Sequence, residues 1–142
     1  MNVRPGTAAD MATIARMLEQ AGLPTSDLAT SRVEFTVLTE ADEIVGIGGM
    51  ERFGVVALLR SVVVDTDRRS QGVGAVLLSQ IERQAFERGA RELVLLTQTA
   101  EGFFARHGYA KIPRASVAES IKNTAEFRTL CPDSAVCMTK RL

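Results

Sequence analysis

Val62-Val63-Val64-Asp65-Thr66-Asp67-Arg68-Arg69-Ser70-Gln71-Gly72-Val73-Gly74-Ala75 is the stretch that decides how this chain folds and what it can hold. An apolar run with no alternation reads as a strand buried on both faces. Asp65-Thr66-Asp67 ends it, and a glycine-containing loop then opens a helix on which Val73, Val76, Leu77, Ile81 and Ala85 share one face. The first amides of a helix have no partner inside it and, with the helix dipole, attract anions. Gly72 and Gly74 let a phosphate approach the backbone, and Arg68 and Arg69 add positive charge beside it. The loop lacks the Gly-Lys-Ser/Thr of the Walker motif. Its Gly-x-Gly is not followed by x-x-Gly, so it is not the dinucleotide fingerprint either.

The rest of the chain arranges itself around that strand and helix. Residues 2–5 read as a strand, and Thr7 or Asp10 can cap a helix carrying Met11, Ile14, Ala15 and Leu18, stopped by Gly22-Leu23-Pro24. Glu34–Thr39 and Ile44–Phe53 read as strands joined by the polar turn Ala41-Asp42-Glu43. Gly46, Gly48 and Gly49 mark bends or close backbone approach. Ala57–Val64 is the central strand, with Arg60 on the face of Leu58 and Val62 by strict alternation. After the long helix, closed by Gly89, come a buried strand at Leu93–Thr97 and a short helix at Phe103–His107 stopped by Gly108. Ser116–Asn123 reads as a helix and Ala135–Lys140 as a final strand. The order predicts one α/β domain over residues 1–142, a three-layer arrangement around a sheet of mixed direction.

Composition narrows the function. Among 142 residues, 17 Lys+Arg balance 17 Asp+Glu, so no basic excess points to nucleic acid or an anionic membrane. The positive set is 14 arginines and three lysines, which favours planar bidentate contacts with anions. No apolar run is long enough to cross a membrane and no secretory leader opens the sequence, so a cytoplasmic location is expected. Cys131 and Cys137 are too few for a disulfide scaffold, and without supporting histidines they make no zinc site. No metal is expected.

Val62–Ala75 resembles the acetyl-coenzyme A signature of the GNAT N-acetyltransferase superfamily, Gln/Arg-x-x-Gly-x-Gly/Ala after a Leu/Val-rich strand. Phe103-Phe104-Ala105-Arg106-His107-Gly108-Tyr109 resembles the family's second motif, an aromatic helix ending in Gly-Phe/Tyr, and the element order fits from residue 2 to residue 142. The resemblance implies a mostly antiparallel sheet, splayed between its fourth and fifth strands, with helices on both faces. It implies that acetyl-CoA is the cosubstrate. The backbone of Val62, Val63 and Val64 would hold the pantetheine arm, and Arg69, Ser70, Gln71, Gly72, Val73, Gly74 and Ala75 the pyrophosphate. Phe104 would lie beside the cofactor, where many relatives carry a tyrosine general acid.

A narrower likeness lies in Ala57-Leu58-Leu59-Arg60-Ser61, Leu95-Leu96-Thr97-Gln98-Thr99 and the tail Glu126–Met138. These resemble the bacterial arsenic-resistance N-acetyltransferases, which implies an arsenical or phosphinic amino acid as acetyl acceptor. The expected reaction is direct attack of a neutral small-molecule amine on the thioester in a ternary complex. Glu51, Arg60 and Thr97 are the candidate catalytic residues. Glu51 is a base or a strand-end carboxylate; Arg60 grips an anionic substrate or belongs to an ion pair with Glu51 or Glu126. Thr97 contacts a ligand or is a plain strand threonine. Arg114 and Glu126 are further candidates for holding substrate, while Tyr109 is core or a substitute for the missing tyrosine acid and His107 reads as a helix cap. Two other readings stay open: acetylation of another amine, such as an amino acid or a protein N-terminus, and a catalytically weak CoA-binding or metalloid-sensing module. Dimers are common in the superfamily, but the sequence carries no marker of one.

Overall fold

A computed structural model describes residues 1–68 and 72–142; the candidate loop residues Arg69, Ser70 and Gln71 lie outside the described residues. Seven strands form one sheet: β1 (Asn2–Pro5), β2 (Glu34–Glu40), β3 (Glu43–Phe53), β4 (Val56–Val64), β5 (Glu92–Thr97), β6 (Ala110–Lys111) and β7 (Val136–Arg141). Their spatial order is β1-β2-β3-β4-β5-β7-β6. Every neighbouring pair is antiparallel except β4 with β5, which are parallel.

That parallel pair creates the site. β4 and β5 are registered only at Val56–Glu92, Ala57–Leu93 and Leu58–Val94, and beyond Leu58 they part. β5 instead continues along β7 as far as Thr97–Val136. A wedge therefore opens inside the sheet, as the resemblance implies.

Two layers of helix cover the sheet. On one face lie α2 (Val73–Glu87) and α3 (Glu101–Arg106), packed through Leu77, Leu78, Ile81 and Phe104 against Leu59, Leu93, Leu95 and Met138. α2 presents Val73, Leu77, Leu78, Ile81 and Ala85 as its buried stripe, and each large aliphatic among them contributes roughly 1.5–3 kcal/mol by leaving water. It sits close: a Cβ on Gly48 of β3 would lie 2.3 Å from the Ile81 side chain. On the opposite face, α1 (Met11–Gln20) brings Ile14 and Leu18 onto Val37, Ile47 and Val63. The tail, with α4 (Glu119–Lys122) and a π-helical turn over Glu126–Leu130, covers Leu58, Val94 and Cys137 with Ile121 and Phe127.

Helix stops read from glycine are made as glycine makes them. After α1, α2 and α3, Gly22, Gly89 and Gly108 take φ of 71°, 101° and 94°. In each case the next amide (Leu23, Ala90, Tyr109) donates back to a carbonyl five residues earlier (Leu18, Ala85, Phe104). The β2–β3 turn is equally tight, with Ala41 and Asp42 both at positive φ, as a two-residue hairpin that follows sheet twist requires.

Two expectations change. The single helix read over residues 116–123 is a 3₁₀ turn at Arg114–Ser116 and the four-residue α4, because Val117 and Ala118 are extended between them. The π-helical turn had no periodicity to announce it. Second, Arg60 shares a face with Leu58 but not with Val62. Arg60 pairs with Gly49 and Val63 with Ile47, three steps along β4 against two along β3, so β4 carries one extra residue there. Ser61 absorbs the bulge at φ 59°. Leu59, Val62 and Val64 consequently pack toward α2, while Leu58 and Val63 pack on the other side.

Candidate active site

The wedge between β4 and β5 is the mouth of a cleft of about 910 Å3. Its walls are the β4 residues from Leu59 to Val64 and the chain from Leu95 to Ala100; α2's start closes one end, and α3 and the tail complete it. Val62, Val63, Val64, Gly72, Gly74, Ala75, Thr97 and Phe104 all line it, as does Arg60. Val73 is instead buried in the core beneath, and Glu51 is not among the lining residues.

The α2 end is built from backbone. Gly72 is the N-cap of α2 and holds φ 75°, a left-handed conformation that costs a side-chain-bearing residue roughly 1–2 kcal/mol. The Val76 amide already donates to the Gly72 carbonyl, so the amides of Val73, Gly74 and Ala75 precede the helical ladder. A Cβ on Gly74 would stand 3.2 Å from the Phe103 ring, so only glycine lets α3 close this tightly on α2. Phe103 in turn stacks on His107, with ring centroids 4.7 Å apart. These residues fit an anionic group such as a pyrophosphate: amides at a helix start that precede the helical ladder, with Arg106 and His107 on the cleft wall.

The other end is built from side chains. The Arg60 guanidinium, on a residue only 3% exposed, reaches three carboxylates. Nη1 and Nη2 donate to the two oxygens of Asp27 at 2.5 and 2.9 Å, Nη1 also to Glu51 at 3.0 Å, and Nε lies 3.1 Å from Glu126 Oε2. A buried arginine needs such partners, since an unpaired charge in a dry interior is costly. Both ion-pair partners weighed for Arg60 are thus present at once. Asp27, from the loop after α1, is the partner that sequence reasoning missed: a polar loop aspartate carries no spacing signal.

Three carboxylates around one cation do not ionise alike. Burial works against the Asp27 carboxylate, but hydrogen bonds from Arg60 and Ser31 outweigh it and hold its pKa below the usual range. Glu126 behaves oppositely. Burial pushes its pKa up to about 7, against the pull of Arg60 and of a hydrogen bond from the Cys131 thiol, with Glu51 and Asp27 repelling the charged form. Arg60 itself is held charged: burial lowers its pKa, and the hydrogen bond to Asp27 and the field of Glu126 more than restore it.

Other candidates find plainer settings. The Thr97 hydroxyl accepts the Ala100 amide at 3.0 Å, fixing the turn from β5 into α3 while facing the cleft. Phe104 is mostly core, edge-on to both Phe103 and Tyr109. Tyr109 is buried and donates its hydroxyl to Glu82 at 2.9 Å; burial and that carboxylate raise its pKa far above the ordinary phenol value. Arg114 donates to the carbonyls of Phe127 and Pro132, pinning the tail over the sheet rather than reaching into the cleft. Both cysteines are free thiols: burial raises Cys131 to about 12 and Cys137 to about 11. Among the described residues, no group of three or more His, Cys, Asp or Glu could hold a metal ion, and no helix is long and apolar enough to cross a membrane.

Known proteins share this fold. An N-acetylglutamate synthase from Neisseria gonorrhoeae, solved with coenzyme A and N-acetyl-glutamate, superposes with a TM-score of 0.82 at 19% identity, over 100% of this chain and 35% of that one. Rv2747 from Mycobacterium tuberculosis, solved with CoA and NLQ, gives 0.83 at 23% identity over 100% and 99% of the two chains. Tetrahymena GCN5 gives 0.77 at 14% identity over 99% and 96%. At these identities the likeness establishes the fold. In sequence, an uncharacterized N-acetyltransferase from Chlorobaculum tepidum is 29% identical over 105 residues, 73% of this chain. This chain therefore spans about 65% of that curated relative's length. The acetyltransferase (GNAT) domain profile matches residues 31–111, more than half of the chain and every element from β2 to β6 that frames the cleft. By that match and by its splayed β4–β5 sheet, this chain belongs to the GNAT acetyltransferase domain family.

Proposed function

We propose that this chain transfers an acetyl group from acetyl-CoA to the amine of a small molecule by direct attack in a ternary complex. The observation that carries the reading is the continuity of the cleft. It runs from the amide-rich start of α2, along the β4 backbone, to the buried charge cluster at Arg60. An anionic, elongated cosubstrate and an amine can thus meet in one sheltered space. Acetyl-CoA supplies an activated acyl thioester there. The amides of Gly74 and Ala75 would face its pyrophosphate, together with loop residues 69–71, and the Val62–Val64 backbone its pantetheine arm. At the bulge the β4 backbone turns out of register, and an amide near Val62 is the candidate oxyanion donor.

No tyrosine acid is needed for this chemistry. Phe104 has no hydroxyl, and Tyr109 is committed to Glu82. A thiol of pKa about 8.5 leaves acceptably as thiolate. Arg60, saturated by three carboxylates, anchors the acceptor end of the cleft instead of gripping an anion. For the acceptor itself, the likeness of the β4, β5 and tail segments to arsenic-resistance enzymes supports an arsenical or phosphinic amino acid.

The test is release of free thiol from acetyl-CoA with arsinothricin, phosphinothricin and a panel of ordinary amines. Turnover is expected, strongest on the arsenical. Turnover confined to other amines removes the narrower acceptor, and CoA binding without turnover on any amine removes the transferase reading.

A further inference from the structure

The geometry points to Glu126 as the proton acceptor for the attacking amine, with the Cys131 thiol as its positioning partner. This rests on the acetyltransferase reading above and goes beyond it, because it assigns the base to the π-helical turn of the tail rather than to a strand of the sheet.

Among the described residues lining the cleft, Glu126 is the one carboxylate. The other side chain there with a basic ring nitrogen is His107. It stacks on Phe103, which abuts Gly74, so it stands at the α2 end, where the anionic cosubstrate is expected. Glu126 stands at the opposite end, beside Arg60 and the β4 bulge, where the amine would enter. Its carboxylate is fixed rather than loose: Arg60 Nε lies 3.1 Å from Oε2, and the Cys131 thiol donates to it. The groups facing it are therefore Arg60 from β4, Glu51 from β3, Asp27 from the loop after α1, and Cys131 from its own segment.

This setting suits a base. Asp27 and Glu51 already neutralise Arg60, so Glu126 is not required to complete that charge and can pass between acid and carboxylate. Burial brings its pKa to about 7, close to working pH, where proton transfer to a side chain is most effective. In the step itself the amine nitrogen forms a bond to the acyl carbon and the carbon–sulfur bond breaks, its electron pair leaving on sulfur. The proton lost from nitrogen goes to a Glu126 oxygen, which later returns it to water or to the thiolate.

The experiment compares wild type, Glu126→Gln, Cys131→Ala and Cys131→Ser on whichever amine of the panel wild type acetylates best. A common acceptor makes the amine's own ionisation the same in every profile. Glu126→Gln keeps the Arg60–Asp27–Glu51 core and is expected to fold and to bind CoA within about twofold of wild type. Its kcat should fall on the order of 100-fold at pH 7, with the acidic limb near pH 7 gone. Cys131→Ala removes a hydrogen bond that favours the carboxylate, so the limb should move to higher pH, and Cys131→Ser should bring it back. Carbon-13 NMR of the glutamate carboxyls in the free protein gives a readout independent of turnover: Glu126 should titrate near neutrality and shift upward in Cys131→Ala. Wild-type turnover with Glu126→Gln within threefold at pH 7, or a Glu126 midpoint between 4 and 5, overturns the assignment while leaving the transferase reading intact. An inert wild type overturns both together, and is seen before any variant is compared.

Discussion

The two ends of the cleft are made of different material. At the α2 end the groups presented are backbone amides, at one local turn around Gly72. At the Arg60 end they are side chains from four separate segments, Asp27, Glu51, Arg60 and Glu126, brought together over nearly 100 residues of sequence. A backbone site survives most substitutions, because every residue has an amide, and fails where the chain must come close to its ligand. A side-chain site depends on the cation at its centre, because removing it leaves the carboxylates charged and buried. The contrast teaches where each end is vulnerable: the first in binding, the second in folding.

The strongest way to break this comparison is Arg60→Ala. It leaves three buried carboxylates without their cation and should cost about 3–5 kcal/mol, a drop in Tm of roughly 10–15 °C for a chain of this size. Thermal melts at two pH values sharpen the point: at pH 5 the loss should be smaller than at pH 8, because Glu126 and Asp27 take up protons once the guanidinium is gone. A loss under 1 kcal/mol at pH 8 would mean that the cluster is not dry.

Next in size is Gly72→Asp, which places a carboxylate at the start of α2. Repulsion there is worth up to about 2 kcal/mol, or about 30-fold in CoA affinity by calorimetry. Tm should also fall, by roughly 3–8 °C, because the left-handed φ of 75° costs a residue with a Cβ about 1–2 kcal/mol although no atom lies within 4 Å of where that Cβ would stand. Unchanged affinity would remove α2's N-terminus from the cofactor site.

The smallest effect is a slope. Folded Glu126 holds its proton up to about pH 7, whereas the unfolded chain releases it near pH 4.5. Between those values the native state binds more protons, so this group makes wild-type stability fall as pH rises, by up to about 1.4 kcal/mol per pH unit. Glu126→Gln should flatten the profile in that window, as denaturant melts would show. Asp27, with its lowered pKa, acts with the other sign: its contribution is lost only as pH falls below the ordinary carboxylate range.

What could be read in advance follows the same division. Gly22, Gly89 and Gly108 announced three helix ends because a left-handed residue at a helix C-terminus is a local demand. Gly72 and the apolar Val62–Val64 run announced the α2 end for the same reason. The π-helical turn had no pattern of its own, being held from outside by Arg114 on the Phe127 carbonyl. The β4 bulge was invisible too. One extra residue against β3 moved Val62 away from Arg60's face, and only the pairing register shows it.

The sequence by itself determined the order of elements, the glycine start of α2 after a buried strand and the need of Arg60 for a partner, because periodicity, glycine conformation and the cost of a buried charge act within a few residues. Only the tertiary structure decided which carboxylates answer that need, that Glu51 and Asp27 hold Arg60 while Glu126 faces the cleft, and that one carboxyl among three is pushed toward neutrality. Those outcomes depend on distance and burial among residues far apart in the chain, and neither quantity exists before it folds.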